Sequence, residues 1–588
     1  MLDATMIQAR AAQSASIPTL RTTGRVPARP ASFALALLLA VLLSGCAAHR
    51  SMPAPQPLPM SKDSAASYAY LVFLDAFKYG NMKVAEEAIG KVLEMHPTPE
   101  AYLEAAEFHW RMGGLDKARE VLKKGLENFP GDTFMTLRLS DVYLAEQRAD
   151  SAATTLELYL QKHPDDAAIR LQLAKVYLEM HKYAQTLDVL KPIPAKQQST
   201  MMYVLRAKAN TRLGRTTKAV DLLKAALRKS PEDITMWAEL AYIYELKKDY
   251  AAAEKTYSHI LELGEHAAEI WLRLVNLNLK MNNPDKALDL TLKGPNDTQF
   301  RLEAARMFIL DGFHDQARQI LDPMQSLENP PDTYHFLMAL LALQGDDDPA
   351  TALRHLEKIP DASQLANRVL SYKAHLLFTL DRMDEAMAIV RQGMQRFPDN
   401  KDFYEIQSWI FEDRHDYGKA EEALQKALKK WPKDTDFLYH LGLIKDKQGQ
   451  RAASLEIMER IIHLDPEHAD ALNYVGYVLA DENRDLDRAL VLVKAALKQK
   501  PDSGYILDSL AWVYHRLGRQ AQAWEAISRA VSLQSAIDPT MWEHYGDIAL
   551  ALKRTGDARK GYTRALKAKD KGLTPQDVAR IQEKLDRL

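Results

Sequence analysis

The sequence predicts an all-α chain, a solenoid of stacked helix–turn–helix units closed by a C-terminal helix. Three observations carry that prediction. Ala85, Ala118 and Ala152 recur 33 and 34 residues apart, as small residues do where paired helices cross closely. Pro97, Pro130 and Pro164 follow the same rhythm, and a proline ends a helix because it lacks the N–H that would continue the ladder. The stretch from Ala469 to Gly518 then shows a whole unit: Gly476 and Tyr477 on a first helix, Ala489 on a second, Pro501 closing it, and a restart at Leu510, Ala511 and Tyr514.

At 588 residues the chain exceeds one ordinary core, so several domains or a repeat array are expected. Apolar residues at 47% and charged residues at 27% are usual for a folded protein, and the formal net charge of −2 gives no basic footprint for nucleic acid. Lysine and glutamate alternate along the helices, as on a solvated face.

The in-phase pattern resembles the tetratricopeptide repeat, whose period is about 34 residues and whose pattern runs W-x2-L-G-x2-Y, then Ala, then Pro. The resemblance implies a right-handed superhelix whose first helices line a concave groove and whose second helices mainly pack.

The N-terminus reads as an address. Phe33 to Leu43 is an unbroken apolar run of 11 residues, right for a signal-peptide core and short of the ~20 that a membrane span needs. Leu43, Ser44 and Gly45 precede Cys46, the one cysteine in the chain, and this resembles the bacterial lipobox. That resemblance implies lipidation of the Cys46 thiol and cleavage before it. Ala47 follows, and the lack of Asp there implies the outer membrane rather than the inner. One cysteine makes no internal disulfide and no multi-cysteine metal site. Four prolines between Ala47 and Lys62 favour an extended spacer.

The units follow in order. Tyr143 and Tyr177 take the first-helix aromatic position, and Lys191-Pro192-Ile193-Pro194 cuts one second helix short. Ala207, Gly214, Ala219 and Pro231 restore the pattern, and Trp237-x2-Leu240-Ala241-x2-Tyr244 with Ala253 matches it closely. Trp271, Leu274 and Ala287 begin a unit that Gly294-Pro295 ends early. Ala305, Ala317 and Ala352 keep register through a loop-rich middle, and from Asn367 the array tightens through Ala374, Ala386, Ala420, Gly442, Ala489, Ala523 and Ala558. About fifteen units, some thirty helices, result. Thr574-Pro575 starts a capping helix, Thr as N-cap and Pro at the first helical position. The expected organisation is a lipoprotein signal peptide at 1–45, a lipid-anchored, Pro-rich linker at 46–65, a regular array at 66–297, degenerate units at 298–398, a second regular array at 399–569 and the cap at 570–588.

Chemistry is sparse. None of the 17 histidines forms H-E-x-x-H or a Cys/His metal spacing, and no phosphate loop, dinucleotide fingerprint or nucleophile elbow occurs. His163, His440 and His544 read as packed or surface residues, and Glu86-Glu87 and Glu421-Glu422 as solvated surface. The reading is therefore no enzyme, no catalytic residue, no cofactor and no metal. The groove-facing positions implied by the resemblance are Trp409, Tyr439, Asn473, Tyr477, Tyr505, Asp508, Trp512, His515, Glu543 and Asp547. Aromatic rings with amide and acid groups suit an extended peptide or another protein, basic or neutral, because no basic clamp for a carboxylate is evident. The expected function is an outer-membrane-anchored periplasmic scaffold for protein–protein interaction in envelope assembly, secretion or export. Its partners are other proteins or extended peptides and, through the lipid, the membrane, but not nucleic acid. An accessory subunit of an exopolysaccharide export machine is the alternative, and an enzyme with an unrecognised site a remote one.

Overall fold

The computed structural model describes residues 60–533, 538–568 and 573–588. The signal peptide at 1–45, the lipobox Leu43-Ser44-Gly45, Cys46 and the linker as far as residue 59 lie outside the described residues. Among those described, the chain holds 31 α-helices, two short 3-10 turns and no strand, so the all-α expectation holds. The first thirty helices form fifteen consecutive hairpins, and the last, Pro575–Asp586, stands alone. The first helix begins at Lys62, inside the stretch assigned to the linker, with Ser61 as its N-cap. None of the described helices is long and apolar enough to cross a membrane.

The described chain divides into two compact units, one up to Ala304 and one from Ala305, and the division falls inside the helix Thr298–Leu310. In each unit a second helix packs on its own first helix and on the first helix of the next hairpin.

One position explains the stacking. Ala85, Ala118, Ala152, Ala219, Ala253, Ala287, Ala317, Ala352, Ala386, Ala420, Ala489, Ala523 and Ala558 are all 0% exposed. Two hairpins use another small residue there, Thr186 and Ser454, also 0% exposed. Their hydroxyls are satisfied locally: Thr186 Oγ1 donates to the Lys182 carbonyl at 3.1 Å, and Ser454 Oγ pairs with the Tyr474 hydroxyl at 2.9 Å.

The connection between hairpins is a second recurring device. After a helix-ending proline the chain turns, and two residues later a side chain caps the next helix. Asp132, Asp166, Asp233, Asn400, Asp434 and Ser503 all accept from backbone N–H groups this way.

The middle keeps its hairpins but shortens them. His314–Leu321 has 8 residues and Pro349–Glu357 has 9, because Pro323 stops the first from continuing and Gly345 to Asp348 delay the start of the other. The two ends of the chain differ. The Pro575–Asp586 helix starts with a capping box between Thr574 and Asp577 and buries Ile581 in the core beside Tyr562. The first hairpin instead exposes Tyr68, Leu71 and Tyr79, the last at 73%.

Candidate functional site

The four first helices Thr435–Lys447, Ala469–Asp481, Gly504–Arg516 and Pro539–Ala551 present equivalent positions along one face. Tyr439, Asn473, Asp508 and Glu543 share one register, and Tyr477, Trp512 and Asp547 stand one turn later.

His544 is the centre of this face, although it reads from sequence as an isolated packed or surface residue. Its Nδ1 lies 2.9 Å and 3.1 Å from the two Asp508 oxygens, so the imidazole donates to a carboxylate in a neighbouring hairpin. Its ring stacks on Trp512, centroids 4.2 Å apart, and Trp512 stacks in turn on His515 at 5.1 Å. Tyr477 approaches the same ring at 6.1 Å. Burial pushes the His544 pKa down, but Asp508, with Asp547 and Glu543 behind it, outweighs that and raises it. Tyr477, Asp508, Trp512 and His515 are thus brought together around one buried imidazole. Two polar atoms of this face, Asn473 Oδ1 and Trp512 Nε1, are buried without a hydrogen-bond partner among the described residues.

Tyr505 and Tyr439 form a neighbouring group. The Tyr505 hydroxyl donates to Asp470, whose carboxylate also receives Lys500 at 2.8 Å. Tyr439 is half-buried beside His468, and burial, then Asp470 and Tyr505, push its hydroxyl up to about 12.

Glu543 and Asp547 are not open to a ligand in the way the groove assignment expects. Arg580 reaches Glu543 at 3.0 and 2.9 Å, and Lys584 bridges Glu543 at 2.8 Å and Asp547 at 2.6 Å. Tyr562 also donates to Asp547 at 2.8 Å. Burial alone would raise the Glu543 pKa, yet the two cations hold it low. The capping helix takes these acids for itself, and sequence spacing of 37 residues gives no hint of that pairing.

Trp409 stands apart from the cluster. It lines a separate cavity with Phe378, whose ring is 6.0 Å away. Beside it His440 donates to Glu412 at 2.6 Å and meets Ser408 at 3.1 Å, and hydrogen bonding to His440 is the main reason the Glu412 carboxyl falls to about 2. Glu421 departs from the solvated-surface reading: it is half-buried and held by Lys445 at 2.5 Å and Gln448 at 3.1 Å. Among the described residues no group of three or more His, Cys, Asp and Glu side chains could hold a metal ion.

Comparison with known proteins adds the family. Three family models described as tetratricopeptide repeat match, at residues 143–210, at 292–505, and at 73–133, 204–268 and 479–540. A TPR repeat-containing protein of Pseudomonas aeruginosa is 29% identical over 221 residues, which is 37% of this chain and 36% of that protein. Human superkiller complex protein 3 is 25% identical over 286 residues, 41% of this chain and 18% of that one. The match therefore spans about a third of the bacterial relative and under a fifth of the human one. Among solved structures, the Cut9–Hcn1 hetero-tetramer of the APC/C aligns with 89% of this chain and 96% of that one at a TM-score of 0.37 and 15% identity. Yeast Tom70 aligns with 89% of this chain and 100% of its own at 0.33 and 16%. With repeat models matching across 73–133, 143–268 and 292–540 and helix hairpins throughout, this chain is a tetratricopeptide-repeat protein.

Proposed function

We propose that this protein is a lipid-anchored periplasmic scaffold, held at the outer membrane, whose C-terminal first-helix face binds extended segments of partner proteins during envelope assembly, secretion or export. The observation that carries the binding reading is the Tyr477, Asp508, Trp512 and His544 cluster, where stacked rings lie beside unsatisfied amide and indole groups. Flat rings supply contact area at low conformational cost, and unpaired polar atoms favour a ligand that carries both donors and acceptors, as a peptide backbone does. The anchor reading is supported by the apolar run from Phe33 to Leu43 followed by Leu43-Ser44-Gly45-Cys46. Acyl chains contribute ~0.8 kcal/mol per buried CH2, so more than one chain gives stable attachment.

Two measurements test the two halves. Fatty-acid labelling should mark the wild type and not Cys46→Ala, and equal labelling of both would end the lipid anchor. Replacing Trp512 and Tyr477 by Ala should remove partners captured from envelope membranes while the helical circular-dichroism signal stays. Unchanged partners on an intact fold would move the binding surface elsewhere.

A further inference from the structure

Three hairpins before the one that carries Trp512, the face of the Lys401–Asp413 helix opens into a cavity of about 590 Å³. Phe378, Trp409 and Tyr417 line it with rings, those of Phe378 and Trp409 6.0 Å apart and inclined by 35°. Glu412 and Asp413 supply carboxylates, and Lys447 and His415 complete the lining. The two carboxylates differ in what they already hold. Glu412 is committed, one oxygen to His440 at 2.6 Å and the other to Lys447. The lining cation Lys447 and the adjacent Arg414 are committed too, Lys447 to Glu412 and Arg414 to Asp384 at 2.8 Å. Asp413 is exposed, and among the described residues no cation pairs with it. It is also the last residue of its helix, where the partial negative charge of the terminal carbonyls favours a cation.

A wall of aromatic rings beside one uncommitted carboxylate is complementary to a flat cation. The geometry points to an arginine side chain of a bound partner segment as the occupant, its guanidinium laid on Trp409 and its forked N–H donors on Asp413. A lysine ammonium would meet the charge but neither the plane nor the fork. This assignment rests on the reading that the first-helix face holds extended protein segments, and it adds the side chain that one part of that face selects.

The test uses the full chain in detergent, labelled with fluorotryptophan, with the Trp409 fluorine signal identified by its loss in Trp409→Phe. The probe is acetyl-Gly-Arg-Gly-amide, with the Lys tripeptide beside it. The Trp409 signal should move saturably with the Arg peptide, several-fold more weakly with the Lys peptide, and roughly tenfold more weakly in Asp413→Asn. A Trp409 signal that does not move, that responds equally to both peptides, or that ignores Asp413→Asn would overturn the assignment. Should partner capture still depend on Trp512 in that event, the pocket falls and the groove reading stands.

Discussion

Glu239 is a carboxylate placed where a charge is costly. It lies on the first-helix face of Ile234–Leu246, buried, with Lys208 Nζ 3.8 Å from Oε2 and so beyond a direct hydrogen bond. Burial pushes its carboxyl from 4.5 up to about 7, against the pull of Lys208 and Arg212. Between those two values the folded chain holds a proton that the unfolded chain has released. Stability from this residue therefore falls as pH rises through that window, and the loss is complete above about 7. At 1.36 kcal/mol per unit the full loss is about 3 kcal/mol at most. Glu239→Gln removes the penalty and keeps the volume. Its urea midpoint should exceed that of the wild type at pH 8 and approach it near pH 5. A variant weaker than the wild type at pH 8 would mean that the Lys208 attraction outweighs burial.

At the scale of one helix pair, glycine does opposite things in two places. A Cβ on Gly561 would lie 2.7 Å from Gly546 N, 2.8 Å from Gly546 Cα and 2.9 Å from the Trp542 carbonyl, all backbone atoms that cannot turn aside. Gly90, within the Met82–Met95 helix, would meet nothing within 4 Å. Gly→Ala in an open helix gains roughly 0.5–1 kcal/mol, whereas forced overpacking costs about 1–3 kcal/mol. Gly90→Ala should therefore raise a thermal midpoint and Gly561→Ala lower it, and two shifts of the same sign would refute the close crossing. This contrast also marks how far the sequence is legible. The recurring alanines announce the hairpins because close crossing tolerates little else, and thirteen of fifteen hairpins carry one there at 0% exposure. Thr186 and Ser454 hide the same position, since only the folded chain shows their hydroxyls satisfied. Eight of the ten groove candidates fall on two repeating helix positions that the sequence spacing shows, and Tyr505 and His515 fall on neither. Which of them would gather was not legible, because Asp508 meets His544 across 36 residues and Glu543 meets Arg580 across 37, and such pairings depend on which turns of stacked helices face each other.

Across the second unit, each hairpin packs mainly on its immediate neighbours, so stability should pass chiefly from one hairpin to the next, as in a one-dimensional array. Its last hairpin depends on the Pro575–Asp586 helix for two separate reasons. Ile581 covers the core at Tyr562, and Arg580 and Lys584 are the cations that accompany the buried Glu543. Ending the chain before Thr574 removes both together. An apolar surface opens, and a buried carboxylate loses its partners, which is costly in itself because a low-dielectric site cannot replace them with water. The Thr555–Lys567 helix should then lose hydrogen-exchange protection first and Pro539–Ala551 next, since these two share the exposed core. Gly504–Arg516 should keep most of its protection, because it touches the cap only through the hairpin between them. Ile581→Ala separates the two causes: it leaves the ion pairs in place, so protection should fall by the roughly 2–5 kcal/mol of a buried large-to-small change in the last hairpin alone. Exchange measured helix by helix decides the matter, and a drop spread evenly over every hairpin of the second unit would show that it unfolds as one cooperative block rather than from its end.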